Sequence, residues 1–251
     1  INIEFGLKYF MFRRRILSAV VLLSLLVSGC DKEDTNGPGA LTTYPVAGLF
    51  SLTGNWSSLG LTSQEVLNIA IKDVNTYLEE RRSSVRFSST VYDTKLDTAL
   101  AKTYFQTALN TLKSKFIIGP QSSAEVSAIR ELANNNNVLV ISQGSTASSL
   151  ALPNDAVFRF CPGDGPEGAA ISRTAYQAGK RMMITLARND AGNLGLQTSV
   201  RTNFAALGGL TDGLTPYSTT QTDFTTILPQ LRSKIQQHVA TYGAAGVGVY
   251  L

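Results

Sequence analysis

From Tyr44 onward, short apolar runs alternate with segments whose apolar residues recur at helical spacing. "YPVAGLF" predicts a strand. Val66, Leu67, Ala70, Ile71, Val74, Tyr77 and Leu78 then predict a helix, with Thr62 and Glu65 forming a capping-box pattern at its start. "VRFSSTVY" predicts a second strand, followed by a helix over 96–112, the strand "KFIIGP", a helix over 123–133 and the strand "NVLVIS". Strands alternating with helices of this length pair in parallel through right-handed crossovers, with helices on both faces of the sheet. The expected unit is a doubly wound α/β lobe over 44–157. A second alternation starts at Phe158, with a helix over 166–178, the strand "RMMITLA", a helix over 195–207 and a strand near "GLTDGLTPY". Phe224, Ile227, Leu228, Leu231, Ile235 and Val239 mark a further helix, in which Pro229 is tolerable only in the first turn. "GVGVYL" then predicts an apolar strand with nothing after it to cover it. The second lobe, 158–251, is therefore expected to be incomplete, its remaining strands and return crossings lying beyond Leu251.

The segment before Tyr44 has a different character. Met11 opens a basic stretch, Phe12 with Arg13 to Arg15, followed by an apolar run over 16–27 that is too short to span a bilayer; this is a secretory signal, and residues 1–10 precede its plausible start. "DKEDTNGPGA" then has no periodicity and reads, over 31–43, as a flexible tether. The signal also changes the meaning of the formal charge of +4. Without residues 1–30, 18 basic and 17 acidic residues remain, and no Lys/Arg stripe is left to grip nucleic acid. Only Cys161 would accompany Cys30, so no structural disulfide is expected despite export.

Candidate chemistry gathers at the strand ends. In an open parallel sheet, ligands bind outside the carboxyl ends of the strands. The first strand exits into "SLTGNWSSLG", the third into "GPQSSAEV" and the fourth into "SQGSTASS". All three are small, hydroxylated and poor in charge. Such loops let backbone approach a ligand closely, and hydroxyls with the free N–H groups of a following helix accept a carboxylate without lysine or arginine. Ser122 and Glu125 form an S-x-x-E cap, which leaves Ser123 at the first helical position.

These segments resemble the type 1 periplasmic binding proteins, specifically the Leu/Ile/Val-binding branch of amino-acid and amide receptors. The likeness rests on "SLTGNWSSLG", "FIIGPQSSAEV" and "VLVISQGST" in order and spacing, and on "FRFCPGDGPEG" with Arg159, Asp164 and Gly168. It covers roughly 44–251. It implies two α/β lobes closing on a small ligand: Ser123 on the ligand carboxylate, the Gly144 carbonyl on the ammonium, and Ser145 and Thr146 on the head group. In the first loop, where the family commonly places an aromatic on the ligand, this chain has Leu59 beside Trp56, the one tryptophan, which reads as a binding platform. Where the family commonly places an aromatic in the second lobe, this chain has Gly192. The acidic partner of the ammonium is expected beyond Leu251. "LVSGC" resembles a lipobox, which implies that Cys30 is acylated and anchors the protein to a bacterial membrane, facing the periplasm or exterior. An ABC-type permease is the implied partner, and no cofactor or metal is implied.

Other readings stay open. The same fold serves as a ligand-sensing receptor domain without a permease. A secreted serine hydrolase fits poorly, because no G-x-S-x-G elbow occurs and the one histidine, His238, lies at the edge of a helix in the other lobe. Asp93 and Asp97 lack the further ligands a metal needs and read as loop and capping residues.

Overall fold

The computed structural model describes residues 40–251. The signal segment, Cys30 and most of the tether lie outside the described residues. Strand β1 (Thr42–Phe50) begins two residues inside the expected tether and leads helix α1 (Ser57–Glu80), β2 (Val85–Asp93), α2 (Thr98–Asn110), β3 (Phe116–Ile118), α3 (Ser123–Asn136), β4 (Leu139–Ser142) and β5 (Val157–Arg159). These five strands form one parallel sheet in the order β2-β1-β3-β4-β5. Because successive strand residues point to opposite faces, a strand covered on both sides must be apolar at consecutive positions. β1 obeys this. Ala47 and Leu49 join Phe105, Ile117, Val126 and Ile129 under α2 and α3, while Val46 and Phe50 pack with Leu67 of α1 on the other face.

Helices α4 (Asp164–Gln177), α5 (Ala191–Ala206) and α6 (Ile227–Gly246) surround a second parallel sheet of β6 (Met182–Thr185), β7 (Leu210–Gly213) and β8 (Val247–Tyr250), ordered β7-β6-β8. The same alternation organises it. Met182 and Ile184 face Leu231 of α6, and Met183 faces Val200 and Phe204 of α5. Pro229 falls in the first turn of α6, as its missing N–H requires. Among the described residues, no helix is long and apolar enough to cross a membrane.

Two expectations are corrected. The boundary placed between 157 and 158 cuts through β5, which pairs Phe158 with Ile141 and Arg159 with Ser142 and so completes the first sheet. Three residues, with Phe158 53% exposed, carry too little alternation to reveal an edge strand. Helix α1 starts at Ser57 rather than at Thr62, whose hydroxyl donates to Ser58 O at 2.8 Å inside the helix. The Ser- and Gly-rich opening reads locally as loop, but Ser57 N–H to Gly54 O and Gly60 N–H to Trp56 O already wind it.

The one histidine ties β7 to α6. His238 Nε2 and Lys234 Nζ each lie 2.8 Å from the Asp212 carboxylate. The hydrogen bonds from His238 and then Lys234 hold the Asp212 carboxyl at about 2, below its ordinary 3.8. A depressed carboxylate stabilises the fold above its unfolded value and loses that contribution as pH falls through the folded one. Asp212→Asn is therefore expected to cost about 1 kcal/mol at pH 7, a figure reduced for the solvent reaching a carboxylate that is 30% exposed. The gap from wild type should close between pH 4 and pH 2. Urea denaturation across that range checks it, and a gap independent of pH would count against the ion cluster.

Candidate functional site

The three strand exits of the first sheet are knitted together by the small polar residues that the sequence places there. Ser142 Oγ, at the end of β4, donates to Pro120 O at 2.6 Å and accepts from Ser145 N at 3.1 Å, which fastens the β4 exit to the β3 exit. The amides of Gln121 and Gln143 both donate to Ser63 Oγ of α1, and Ser51 N donates to Gln121 Oε1. Asp93 accepts from Leu52 N, Thr53 Oγ1 and Lys95 N, and Asp97 caps α2. Both acids have the loop and capping roles their sequence context suggested.

Ser122 is the N-cap of α3, accepting from Glu125 N, and its hydroxyl donates to the buried Glu125 carboxylate. Burial pushes the Glu125 carboxyl up, against the hydrogen bonds from Ser122. Ser123 follows in the first helical turn. Its Oγ accepts from Ser145 Oγ and from Ala147 N, each at 3.1 Å. A hydroxyl has two acceptor lone pairs and one proton. With both lone pairs engaged, what Ser123 still offers is its proton.

That proton has somewhere to go. A cleft of about 270 Å³ is lined from the first sheet by Trp56, Ser122, Ser123, Ala124, Gly144 and Thr146, and from the second by Glu167, Arg188, Asp190, Gly192, Asn193 and Leu196. Gly192 rests on the serine: a Cβ there would stand 3.4 Å from Ser123 Oγ. The N–H of Ala124, the N–H and hydroxyl of Thr146 and the carbonyl of Gly144 have no protein partner among the described residues. Donors thus converge from a helix N-terminus and an adjoining loop, the arrangement that receives an anion.

Four of the expected contact residues, Trp56, Ser123, Gly144 and Thr146, line this cleft together. Two do not. Ser145 is fully buried: its N–H goes to Ser142 Oγ, its hydroxyl to Ser123, and its carbonyl accepts from Arg159 Nη1 and Cys161 Sγ. It holds Ser123 in place rather than meeting a ligand. Leu59 is 56% exposed and does not line this cleft, because the earlier start of α1 places it in the first helical turn, on the solvent side. Arg159 and Asp164 are also scaffold, the former donating to the Ser145 and Ala147 carbonyls, the latter buried and accepting from Ser148 N.

Sequence reasoning missed Glu167, Arg188, Asp190 and Asn193. Asp190 caps α5, accepting from Asn193 N at 3.0 Å, and its carboxylate also binds Arg188 Nε. Burial opposes its charge, but the bonds from Asn193 and Arg188 outweigh it and hold the carboxyl below its ordinary value. The signal was available. "RND" follows β6, the central strand of the second sheet, so the carboxyl-end rule applied to it as well. A second cleft of about 550 Å³ adjoins the first through Ser122, Ala124, Arg188 and Asp190. A larger hollow of about 650 Å³, between α4 and β8, is lined mainly by apolar residues such as Ile171, Met183 and Val249 and has no convergence of polar groups. Among the described residues, no cluster of His, Cys, Asp and Glu could hold a metal ion. His238 has no serine in hydrogen-bond contact there.

Two parallel α/β units with a cleft between their strand ends are the architecture of solute-binding proteins. The chain belongs to the periplasmic binding protein family, whose profile matches residues 43–249. Membership implies a location outside the cytoplasm, and the family is one of binding proteins rather than enzymes. The uncharacterized protein MJ1266 of Methanocaldococcus jannaschii is 28% identical over 228 residues, 86% of this chain and 54% of that protein. The leucine binding protein LivK of Thermotoga maritima superposes with a TM-score of 0.67 at 25% identity, over 76% of this chain and 53% of that one. An ABC transporter solute binding protein of Rhodopseudomonas palustris BisB5, solved with 3,4-dihydroxybenzoic acid, gives 0.61 at 16% identity, over 82% and 61%. The chain spans about half the length of the first two of these relatives.

Proposed function

We propose that this chain is the solute-binding component of an ABC importer, held at the membrane through an acylated Cys30, and that it captures a small carboxylate, an amino acid or amide, between its two sheets. The observation that carries this reading is the hydrogen-bond state of Ser123: both acceptor sites are filled from within the protein, which leaves its one proton for a ligand, and Ser123 lines the cleft with Ala124 and Thr146, whose N–H groups and hydroxyl have no protein partner among the described residues. A carboxylate answers all of them. Gly144 O and the Glu167 carboxylate supply acceptors for an ammonium, and Trp56 supplies an apolar face. Leucine and 3,4-dihydroxybenzoic acid, named for two structural relatives, differ in everything but the carboxyl group, which agrees with a fold that fixes the head group and varies the rest. Two or three charge-assisted bonds at about 1.5–3 kcal/mol each amount to about 3–9 kcal/mol, which reaches the micromolar range at its upper end.

The test uses the full chain expressed with its leader and recovered from membranes. Its thermal midpoint should rise with one member of a panel of amino acids, amides and aromatic acids, by the mass-action term for a ligand that binds only the folded state. No shift across the panel would overturn the carboxylate reading, and recovery in the aqueous rather than the detergent phase would overturn the anchor.

A further inference from the structure

We infer that the ligand carries a second anionic group, held in the larger cleft between Lys95 and Arg188. This rests on the carboxylate reading of the smaller cleft and adds the chemistry of the ligand's other end.

Lys95 enters from the loop after β2 of the first sheet, and Arg188 from the loop after β6 of the second, so one cleft receives a cation from each side. Arg188 lines both clefts and stands where they join. Its Nε is tied to Asp190, which fixes the guanidinium plane, while its two terminal nitrogens have no acceptor among the described residues. A planar fork oriented in this way suits a carboxylate. Lys95 forms no ion pair among the described residues.

Two acids share the cleft, and both are already engaged. Asp97 Oδ1 accepts from Ala99 N at 2.6 Å and Leu100 N at 3.1 Å at the start of α2, and Asp190 does the same work for α5. Their charges sit against the positive ends of two helices. Lys95 and the two terminal nitrogens of Arg188 are what remains for a ligand. Of the side chains around this space only Leu96 and Ala124 are apolar, and Asn55, Thr98, Thr219 and Thr220 add hydrogen-bonding groups. An aliphatic side chain gains binding energy only against apolar walls, and here it would strip water from polar groups without replacing it. An anion extending from the smaller cleft would instead bridge Lys95 and Arg188 and draw the two sheets together.

The experiment is calorimetric titration of the full chain with L-glutamate and L-2-aminoadipate, set against L-glutamine and L-leucine. The two dicarboxylic amino acids should bind at least tenfold more tightly, with an affinity that falls more steeply as salt is raised. Lys95→Met, with its fold checked by circular dichroism, should erase most of that preference, whereas Ser123→Ala should weaken every ligand that binds. If leucine or glutamine binds as tightly as the dicarboxylic amino acids, or the preference survives Lys95→Met, the inference is wrong while the carboxylate site stands. If no carboxylate binds, both fall.

Discussion

Replacing Ser123 and Thr146 together with alanine is expected to weaken carboxylate binding at least tenfold, and the two residues should contribute in different ways. The Thr146 hydroxyl has no protein partner among the described residues, so Thr146→Val removes a donor to the ligand and leaves the fold as stable as before. Ser123 is both donor and acceptor. Its loss leaves the Ala147 N–H and the buried Ser145 hydroxyl without an acceptor, which costs about 1–3 kcal/mol of stability in addition to the lost ligand contact. Titration and urea denaturation of each single variant separate these effects. Unchanged affinity in the double variant would reduce both residues to scaffold, and unchanged stability in Ser123→Ala would contradict the buried network that leaves its proton free.

How far such a site can be read from sequence depends on which physical constraint each part answers to. The alternation of strands and helices was legible because burial on both faces forces consecutive apolar residues such as Val46 to Phe50, and that signal is local. The exits of β1, β3 and β4 were legible for a related reason: the carboxyl-end rule needs only strand order, and Trp56, Ser123, Gly144 and Thr146 do share one cleft. What failed was finer. Ser145 and Thr146 are adjacent hydroxyls, and their roles part only because Ser142 and Ser123 engage the first of them. No residue pattern distinguishes them. Glu167, Arg188 and Asp190 reach the cleft through the docking of the second sheet's helices and loops against the first, a tertiary relation that no periodicity reports. Strand β5 and the first turn of α1 were lost because three residues are too few to show a period and because Ser and Gly are ambiguous between turn and helix.

That first turn of α1 holds the site's strongest steric constraint, and Gly60→Ala is expected to destabilise the protein by about 3 kcal/mol. By propensity alone the sign should be opposite, since alanine is favoured over glycine in a helix interior by about 1 kcal/mol. The packing decides. A Cβ on Gly60 would overlap the carbonyl group of Ser51, 2.5 Å from its carbon, and lie 3.1 Å from Leu52 N. These are backbone atoms at the end of the central strand β1, and they cannot swing aside as a side-chain tip would. The helix must lift instead, carrying Trp56 at its N-cap and Ser63, on which the Gln121 and Gln143 amides converge. Loss of stability should therefore come with loss of ligand affinity. A denaturation midpoint that falls in Gly60→Ala, together with ligand affinity, would show that the contact of α1 with β1, rather than helix propensity, sets the wall of the cleft. A stabilised Gly60→Ala would refute that contact.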